Sequence, residues 1–110
     1  MQFELRTYAA APGKMEALLQ RFRDHTQELF RVHGIHDIGY WISADNPDLL
    51  IYLVRHEGNP ETNWENFKND PRWVAARAAS MANGDLISDI SSTYMTPTDF
   101  SPLGGVTQAG

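Results

Sequence analysis

The chain has no cysteine. This absence excludes a disulfide-stapled scaffold, a thiolate metal site and a cysteine nucleophile. The chain also has no surplus of positive charge, because nine lysine and arginine residues face fourteen aspartate and glutamate residues and the net charge is −5. A protein that binds nucleic acid or an anionic membrane surface needs the opposite sign. We therefore expect no nucleic-acid partner.

Long apolar runs are also missing. No stretch approaches the roughly 18 residues that a membrane-spanning helix needs, so we expect no membrane span. The opening residues MQFELRTY alternate in polarity and carry charge at once, unlike a signal or transit peptide. We therefore expect a cytoplasmic protein. A length of 110 residues fits one domain, which we place at residues 1–103, followed by a flexible tail at 104–110.

The first segment of the chain alternates in polarity as a half-buried β-strand does. Residues 2–9 place two sets of side chains on opposite faces: Phe3, Leu5 and Thr7 on one, Glu4, Arg6 and Tyr8 on the other. Three later segments, rich in Ile, Leu, Val or aromatic residues, predict further strands at 35–43, 49–57 and 86–95. The turn-forming residues 44–48 indicate a hairpin between the middle two.

Two helical zones separate these strands. Apolar residues recur at helical spacing from Met15 and predict one amphipathic helix of about five turns, ended by Gly34 in the left-handed conformation. The pair Asn59-Pro60 is a typical helix start and opens the second zone. Asp70-Pro71 repeats that signal, which predicts a break and a new helical segment through Trp73.

The order β-α-β-β-α-β predicts the ferredoxin-like α+β fold, a four-stranded antiparallel sheet of order 4-1-3-2 with two helices on one face. The other face then has no cover within the chain. We place Arg6, Tyr8, Tyr52 and one of Tyr40 and Trp41 there, a set too apolar to stand in water. A second copy is the expected partner, in a homodimer or a multiple of it. Two sheets packed face to face would enclose a cavity for a small molecule.

Several short motifs in this order resemble the NIPSNAP family over nearly the whole chain. They are Glu4-Leu5-Arg6-Thr7-Tyr8, Pro12-Gly13-Lys14, His33-Gly34, Ile38-Gly39-Tyr40-Trp41, Leu50-Ile51-Tyr52-Leu53, Asp70-Pro71-Arg72-Trp73 and Pro97-Thr98-Asp99-Phe100-Ser101-Pro102. The resemblance implies a dimeric α+β barrel. It implies no catalytic residues, because the family has no agreed catalytic motif. Neighbours in the superfamily include cofactor-free monooxygenases, haem-degrading enzymes and lactone isomerases, and a shared fold does not fix a function.

The trio Glu4, Arg6 and Tyr8 is the first candidate site, since it shares one strand face. A guanidinium and a phenol can orient an anionic or oxygenated ligand. The alternative, which we favour, is a structural Glu4–Arg6 pair, because a charge in the middle of a central strand must be paired. If that pair is structural, Arg6→Met alone should cost on the order of 3–5 kcal/mol.

Histidines and strand aromatics supply the other candidates. His36 opens the second strand and His56 ends the third, so the two can meet across the hairpin, although the spacing of the four histidines is not that of a metal site. Tyr40, Trp41 and Tyr52 lie on strands, where they suit either a ligand cavity or a dry dimer interface. We expect no metal and no cofactor.

Two functions remain open at this stage. The favoured one is a homodimeric module that binds a small apolar or carboxylate-bearing ligand or a protein. The alternative is a small enzyme that carries out cofactor-free oxygenation, isomerisation or haem-type chemistry in the same cavity, with catalytic residues unknown. An enzyme needs a reachable cavity with a polar group inside it, whereas a dry interface favours the module.

Overall fold

The computed structural model describes residues 2–104. Its four strands are β1 (Gln2–Ala10), β2 (Ile35–Ile42), β3 (Leu49–His56) and β4 (Ile87–Met95). All neighbouring strands are antiparallel, in the order β2-β3-β1-β4, which is the predicted order read from the opposite edge. The predicted tail, apart from Gly104, lies outside the described residues.

The first helical zone is not one continuous α-helix, which corrects the prediction. Helices α1 (Met15–Arg21) and α2 (Gln27–Val32) are joined by a π-helical segment, Phe22–Thr26. The Thr26 hydroxyl, at the end of this segment, donates to the carbonyl oxygen of Arg21, the last residue of α1, at 3.3 Å. Hydrophobic spacing does not reveal such a segment, because the apolar stripe continues on both sides of it.

Gly34 ends this zone in the left-handed conformation, as predicted. Its φ is +76°, where residues with a side chain are strained. A Cβ at this position would also lie 3.3 Å from the backbone oxygen of Glu57. The turn therefore needs a glycine for both its conformation and its close contact with the end of β3.

The second helical zone breaks where the sequence predicts. Helix α3 (Pro60–Asn69) begins after Asn59, whose side chain accepts a hydrogen bond from the Thr62 N–H. Helix α4 (Pro71–Ser80) begins after Asp70, whose carboxylate accepts from the Arg72 N–H. Each helix has proline in its first turn, where the missing N–H costs no intrahelical bond.

A single aromatic-rich core joins the helices to one face of the sheet. Phe30 is 1% exposed, and its ring centroid lies 5.0 to 6.0 Å from those of Phe67, Trp64 and Tyr52. The other main contributors are Tyr8, Leu18, Phe22, Leu29, Leu50, Val54 and Trp73. Trp64, Phe67 and Trp73 belong to this core.

The predicted facing of β1 and β3 is wrong by one residue. Arg6 pairs with Tyr52 across β1 and β3, and both side chains lie on the face that the helices cover. Tyr52 is fully buried and Tyr8 is 7% exposed. Alternation divides a strand into two sets but does not say which set is covered, and here the covered set is the polar and aromatic one.

The opposite face of the sheet carries the set that we expected in the core. Leu5 and Leu53 are register partners there, and Leu5 is 37% exposed. Phe3 is shielded, because its ring lies close to Gly104 near the end of the described chain. We name the exposed part of this face, around Leu5, Leu53 and Trp41, the open face. Within residues 2–104, no helix is long and apolar enough to cross a membrane.

Candidate functional site: a cationic cavity between the sheet and the helices

A cavity of about 820 Å³ lies between the helix-covered face of the sheet and the helices. Strand β1 contributes Arg6 and Tyr8, helix α1 contributes Arg21, and helices α3 and α4 contribute Trp64 and Trp73. Strand β4 closes another side. The volume falls within the range of small-molecule sites, about 300–1,000 Å³. The cavity lies within one chain, so it is not the space between two sheets that the sequence led us to expect.

Arg21 is a buried cation without a counter-charge. Its side chain is 6% exposed, and it makes no ion pair with any residue in the described range 2–104. One guanidinium nitrogen donates to the Ser80 hydroxyl at 3.2 Å, and the group lies 5.0 Å from the centre of the Trp73 ring. The Nε–H has no acceptor in the part of the chain that the structure describes. Burial lowers the pKa of Arg21, and the charge of Arg77 lowers it further.

Arg6, in contrast, is paired. Its Nη1 donates to Glu4 Oε2 at 2.8 Å and its Nη2 donates to the Tyr8 hydroxyl at 3.2 Å. The guanidinium also lies 4.2 Å from the centre of the Trp64 ring. Burial opposes the charge, but Tyr52, Tyr8 and the Glu4 carboxylate raise the pKa of Arg6 well above its ordinary value. The Arg6 Nε–H, like that of Arg21, has no acceptor among residues 2–104.

Glu4 is fully buried and satisfied on both oxygens. Oε1 accepts from Trp64 Nε1 at 2.8 Å and from His56 Nε2 at 2.7 Å. Oε2 accepts from Arg6 and from the Ser92 hydroxyl. Burial alone would raise the pKa of Glu4, but these four hydrogen bonds lower it to about 2. Glu4 is therefore a fixed anion that holds Arg6 in place rather than a base available to a ligand.

The two hydroxyls of Tyr8 and Tyr52 lie 2.8 Å apart. Tyr52 is fully buried, and Tyr8 is its only hydroxyl partner within residues 2–104. The Tyr52 proton therefore goes to the Tyr8 oxygen, which also accepts the Nη2–H of Arg6. Tyr8 itself lines the cavity, and its own proton has no acceptor among the described residues.

The structure separates the residues that the sequence grouped as one candidate site. Arg6 and Tyr8 line the cavity, while Glu4, Tyr52 and His56 form the buried layer behind them. Tyr40 packs in the core, where its hydroxyl donates to Asp37 at 3.1 Å. Trp41 lies on the open face and is 55% exposed.

His36 and His56 do not meet, which corrects the prediction. The register pairs Ile35 with His56 and His36 with Arg55, so the two histidines lie on opposite faces of the sheet. His36 instead contacts Glu57 at 3.3 Å at the exposed edge. Within residues 2–104, no group of three or more histidine, aspartate or glutamate side chains is placed to hold a metal ion.

Arg21 is the residue that sequence reasoning missed. None of the candidate sites above included it, although it follows the buried Leu18 by three residues and directly precedes the buried Phe22. That spacing puts Arg21 on the core side. The sequence therefore contains a signal for a buried charge, namely an arginine within an apolar stripe.

Comparison with known protein families finds a match over nearly the whole chain. The NIPSNAP family model matches residues 3–102. The chain belongs to the NIPSNAP family. Among curated proteins, none matches this NIPSNAP chain.

Solved structures of other NIPSNAP proteins are similar along their whole length. A NIPSNAP family protein with unknown function from Agrobacterium tumefaciens, Atu4242, is 27% identical, with 94% of this chain and 93% of that chain covered and a TM-score of 0.75. An uncharacterized NIPSNAP domain protein from Burkholderia xenovorans is 19% identical, with 93% and 99% covered and a TM-score of 0.76.

The same fold also occurs in a monooxygenase. That protein, from the gene ActVA-Orf6 of Streptomyces coelicolor, was solved in complex with the ligand Nanaomycin D. It is 23% identical to this NIPSNAP chain, with 88% of this chain and 87% of that chain covered and a TM-score of 0.61. At this identity the likeness concerns the fold alone.

Proposed function

We propose that this NIPSNAP protein binds a small organic anion with an apolar body in the cavity between its sheet and its helices. The observation that carries the proposal is Arg21, a buried guanidinium with no counter-charge in the described chain. A buried charge without a partner is costly, and in proteins it is normally compensated by an ion pair or by a ligand. An anionic group in the cavity would provide that compensation.

The cavity offers two kinds of surface, which define the class of ligand. Arg6, Arg21 and Arg77 provide positive charge. Trp64 and Trp73, with the apolar side chains of α4 and β4, provide a hydrophobic wall. A carboxylate fits the planar donor pattern of a guanidinium, and an aromatic or aliphatic body fits the wall. The ligand class is therefore an aromatic or medium-chain carboxylic acid or a related organic anion.

Self-association belongs to the same proposal. The open face presents Leu5, Leu53 and Trp41, and a second copy packed on this face would bury them. In such a homodimer each subunit keeps its own cavity on the far side of its sheet. The proposal also retains the expected cytoplasmic location and the single domain over residues 1–103.

An enzymatic role for the cavity is the second candidate. It is favoured by one observation: Tyr8 lines the cavity, and its hydroxyl accepts a hydrogen bond from Arg6 but donates to no residue within 2–104. A polar group poised in a reachable cavity is the feature we required of an enzyme. The cavity lining contains no histidine, so haem-type chemistry gains no support from it. Oxygen consumption in the presence of phenols and hydroquinones tests the cofactor-free oxygenase version.

Isothermal titration and thermal unfolding test the binding proposal. The probes are benzoate, phenylacetate and octanoate, with inorganic phosphate as an anion that has no apolar body. We expect the organic acids to bind and raise the melting temperature, and Arg21→Gln to abolish both effects. The matched control is Arg23→Gln, because Arg23 lies in the same helical zone but is exposed and paired with Glu16.

Three results would contradict the proposal. The first is that none of the probes binds the wild-type protein. The second is that phosphate binds as tightly as the organic acids. The third is that Arg23→Gln weakens binding as much as Arg21→Gln does.

A further inference from the structure

The Tyr8 hydroxyl is the feature of the cavity that organic-anion binding alone does not explain. Its oxygen accepts two hydrogen bonds, from Tyr52 at 2.8 Å and from the positively charged Arg6 at 3.2 Å. The direction of the first bond follows from burial, since Tyr52 is 0% exposed and Tyr8 is the only acceptor for its hydroxyl proton within residues 2–104. A hydroxyl that accepts from a cation and from a second hydroxyl becomes a stronger donor. The proton of the Tyr8 hydroxyl is therefore available for a hydrogen bond to a ligand.

We propose that Tyr8 donates this proton in a hydrogen bond to a ligand oxygen, and that the cavity thereby selects the oxyanion form of a phenol or enol over the neutral form. This inference rests on the proposed function, because it concerns the same cavity and the same class of ligand. It adds that the ligand carries an acidic aromatic or enolic hydroxyl, which the site holds deprotonated.

The charges around Tyr8 favour the oxyanion. Arg6 adjoins its hydroxyl, and the cavity lining adds Arg21, Arg77 and Lys68. The acidic groups of the lining are Asp85 and Asp89, both exposed. Four cations therefore face two anions in the lining. Glu4 lies behind Arg6, with all of its hydrogen bonds directed to His56, Trp64, Ser92 and Arg6.

The positive charge of Arg6 lies beside the Tyr8 hydroxyl. Its Nη2 donates to that hydroxyl at 3.2 Å, and its buried Nε–H has no acceptor among residues 2–104. An oxygen that accepts the Tyr8 proton therefore lies close to a fixed positive charge. Fixed donors and charges of this kind stabilise oxyanions in many sites.

A nitrophenol titration tests the inference. The phenolate of 4-nitrophenol absorbs visible light and the neutral phenol does not, so absorbance reports which form is bound at each pH. We expect the protein to bind the phenolate at least about tenfold more tightly, which lowers the pKa of the bound phenol by about one unit. Tyr8→Phe should remove most of this preference. The matched control is Tyr94→Phe, because Tyr94 is half-exposed on β4 and does not line the cavity.

Circular dichroism and thermal unfolding establish that each variant is folded. If Tyr8→Phe fails to fold, Tyr52→Phe provides the second test, because it leaves the Tyr8 proton in place but removes one of the bonds that strengthen it. That variant should retain nitrophenol binding with a smaller preference for the phenolate.

The possible results separate this inference from the proposed function. Equal binding of both forms, or preference for the neutral phenol, overturns the inference while binding in the cavity stands. Binding of carboxylates with no binding of 4-nitrophenol also overturns it. An unchanged phenolate preference in Tyr8→Phe shows that another group makes the selection, which contradicts the assignment to Tyr8. Failure of every organic anion to bind removes the proposed function itself.

Discussion

Arg6 and Arg21 line the same cavity from a strand and from a helix, but only Arg6 has a carboxylate partner. The Glu4–Arg6 ion pair satisfies the charge on the strand side. Arg21 has a hydroxyl and an aromatic ring as neighbours, neither of which carries negative charge. The two arginines should therefore respond in opposite ways to substitution in the ligand-free protein.

Arg21→Met should leave the ligand-free protein as stable as the wild type or more stable, by up to about 1–2 kcal/mol. Methionine has a similar length and removes an uncompensated buried charge, and replacing buried charges by apolar side chains is often neutral or stabilising. Thermal and urea unfolding measure this effect. A loss of more than about 2 kcal/mol would show that Arg21 has a structural partner in solution.

Arg6→Met should destabilise the protein by about 3 kcal/mol, the lower end of the cost of breaking a buried ion pair. The cost is limited because Glu4 keeps its bonds from His56, Trp64 and Ser92. In the double variant with Glu4→Gln, the two losses should not add, and the coupling should be about 0.5–3 kcal/mol. Urea unfolding of both single variants and the double variant measures it. Simple additivity would contradict a structural Glu4–Arg6 pair.

Acid should unfold the protein partly through Glu4. Its pKa is about 2 in the folded chain and about 4.5 ordinarily, so the unfolded chain binds the proton more tightly. The resulting stability, about 3 kcal/mol, is fully present above pH 4.5 and is lost as the pH falls towards 2. Urea unfolding between pH 6 and pH 2.5 measures it as a difference between the wild type and Glu4→Gln.

The control for this measurement is Glu16→Gln, because Glu16 is an exposed carboxylate whose ion-pair partner in the described chain is the exposed Arg23. It should preserve the wild-type slope of stability against pH. The pKa values of Asp37 and Asp70 are also lowered, but both residues remain in every protein compared. Equal slopes for the wild type and Glu4→Gln would refute the assignment to Glu4.

Sedimentation equilibrium at micromolar concentration should give a mass of twice 12.4 kDa or a multiple of it. Leu5→Glu should shift the protein towards monomer, because it places a charge at the centre of the open face opposite Leu53. Val32→Glu is the control, since Val32 is 53% exposed on helix α2, away from that face. A wild-type monomer, or dissociation of both variants alike, would count against association through the open face.

The strands and the break between α3 and α4 could be predicted because they depend on local signals. Period-two alternation marks β1, and the Asn59-Pro60 and Asp70-Pro71 pairs mark two helix starts that need no tertiary contact. The strand order follows from the order of the elements, because few connections are allowed between them. These parts of the fold are confirmed.

The facing of β1 could not be predicted, because it depends on distant partners. From the local sequence, a charged residue such as Glu4 is expected to face solvent. Its hydrogen-bond donors Ser92 and Trp64 lie 88 and 60 positions later in the chain. Their bonds make burial of the carboxylate tolerable, and they put Arg6 and Tyr8 on the helix side with it. The sequence identified the residues of this polar layer but assigned them to the wrong face of the sheet.

The cavity itself was beyond sequence reasoning for a similar reason. Arg21 donates a hydrogen bond to Ser80, 59 positions later, and its guanidinium contacts the Trp73 ring. Both partners lie on α4. No local sequence pattern predicts these contacts. The sequence could predict an arginine on the packed side of α1, but the absence of a counter-charge becomes visible only when every neighbouring element is in place.

NMR of the arginine Nε–Hε groups tests whether Arg21 binds an anionic ligand. In ¹⁵N-labelled protein the Arg21 signal is assigned by its loss in Arg21→Gln, and benzoate is then titrated. We expect the Arg21 Hε resonance to move downfield in proportion to the bound fraction, while the Arg23 resonance stays in place. A saturated complex in which the Arg21 resonance has not moved would contradict the binding of the anion by Arg21.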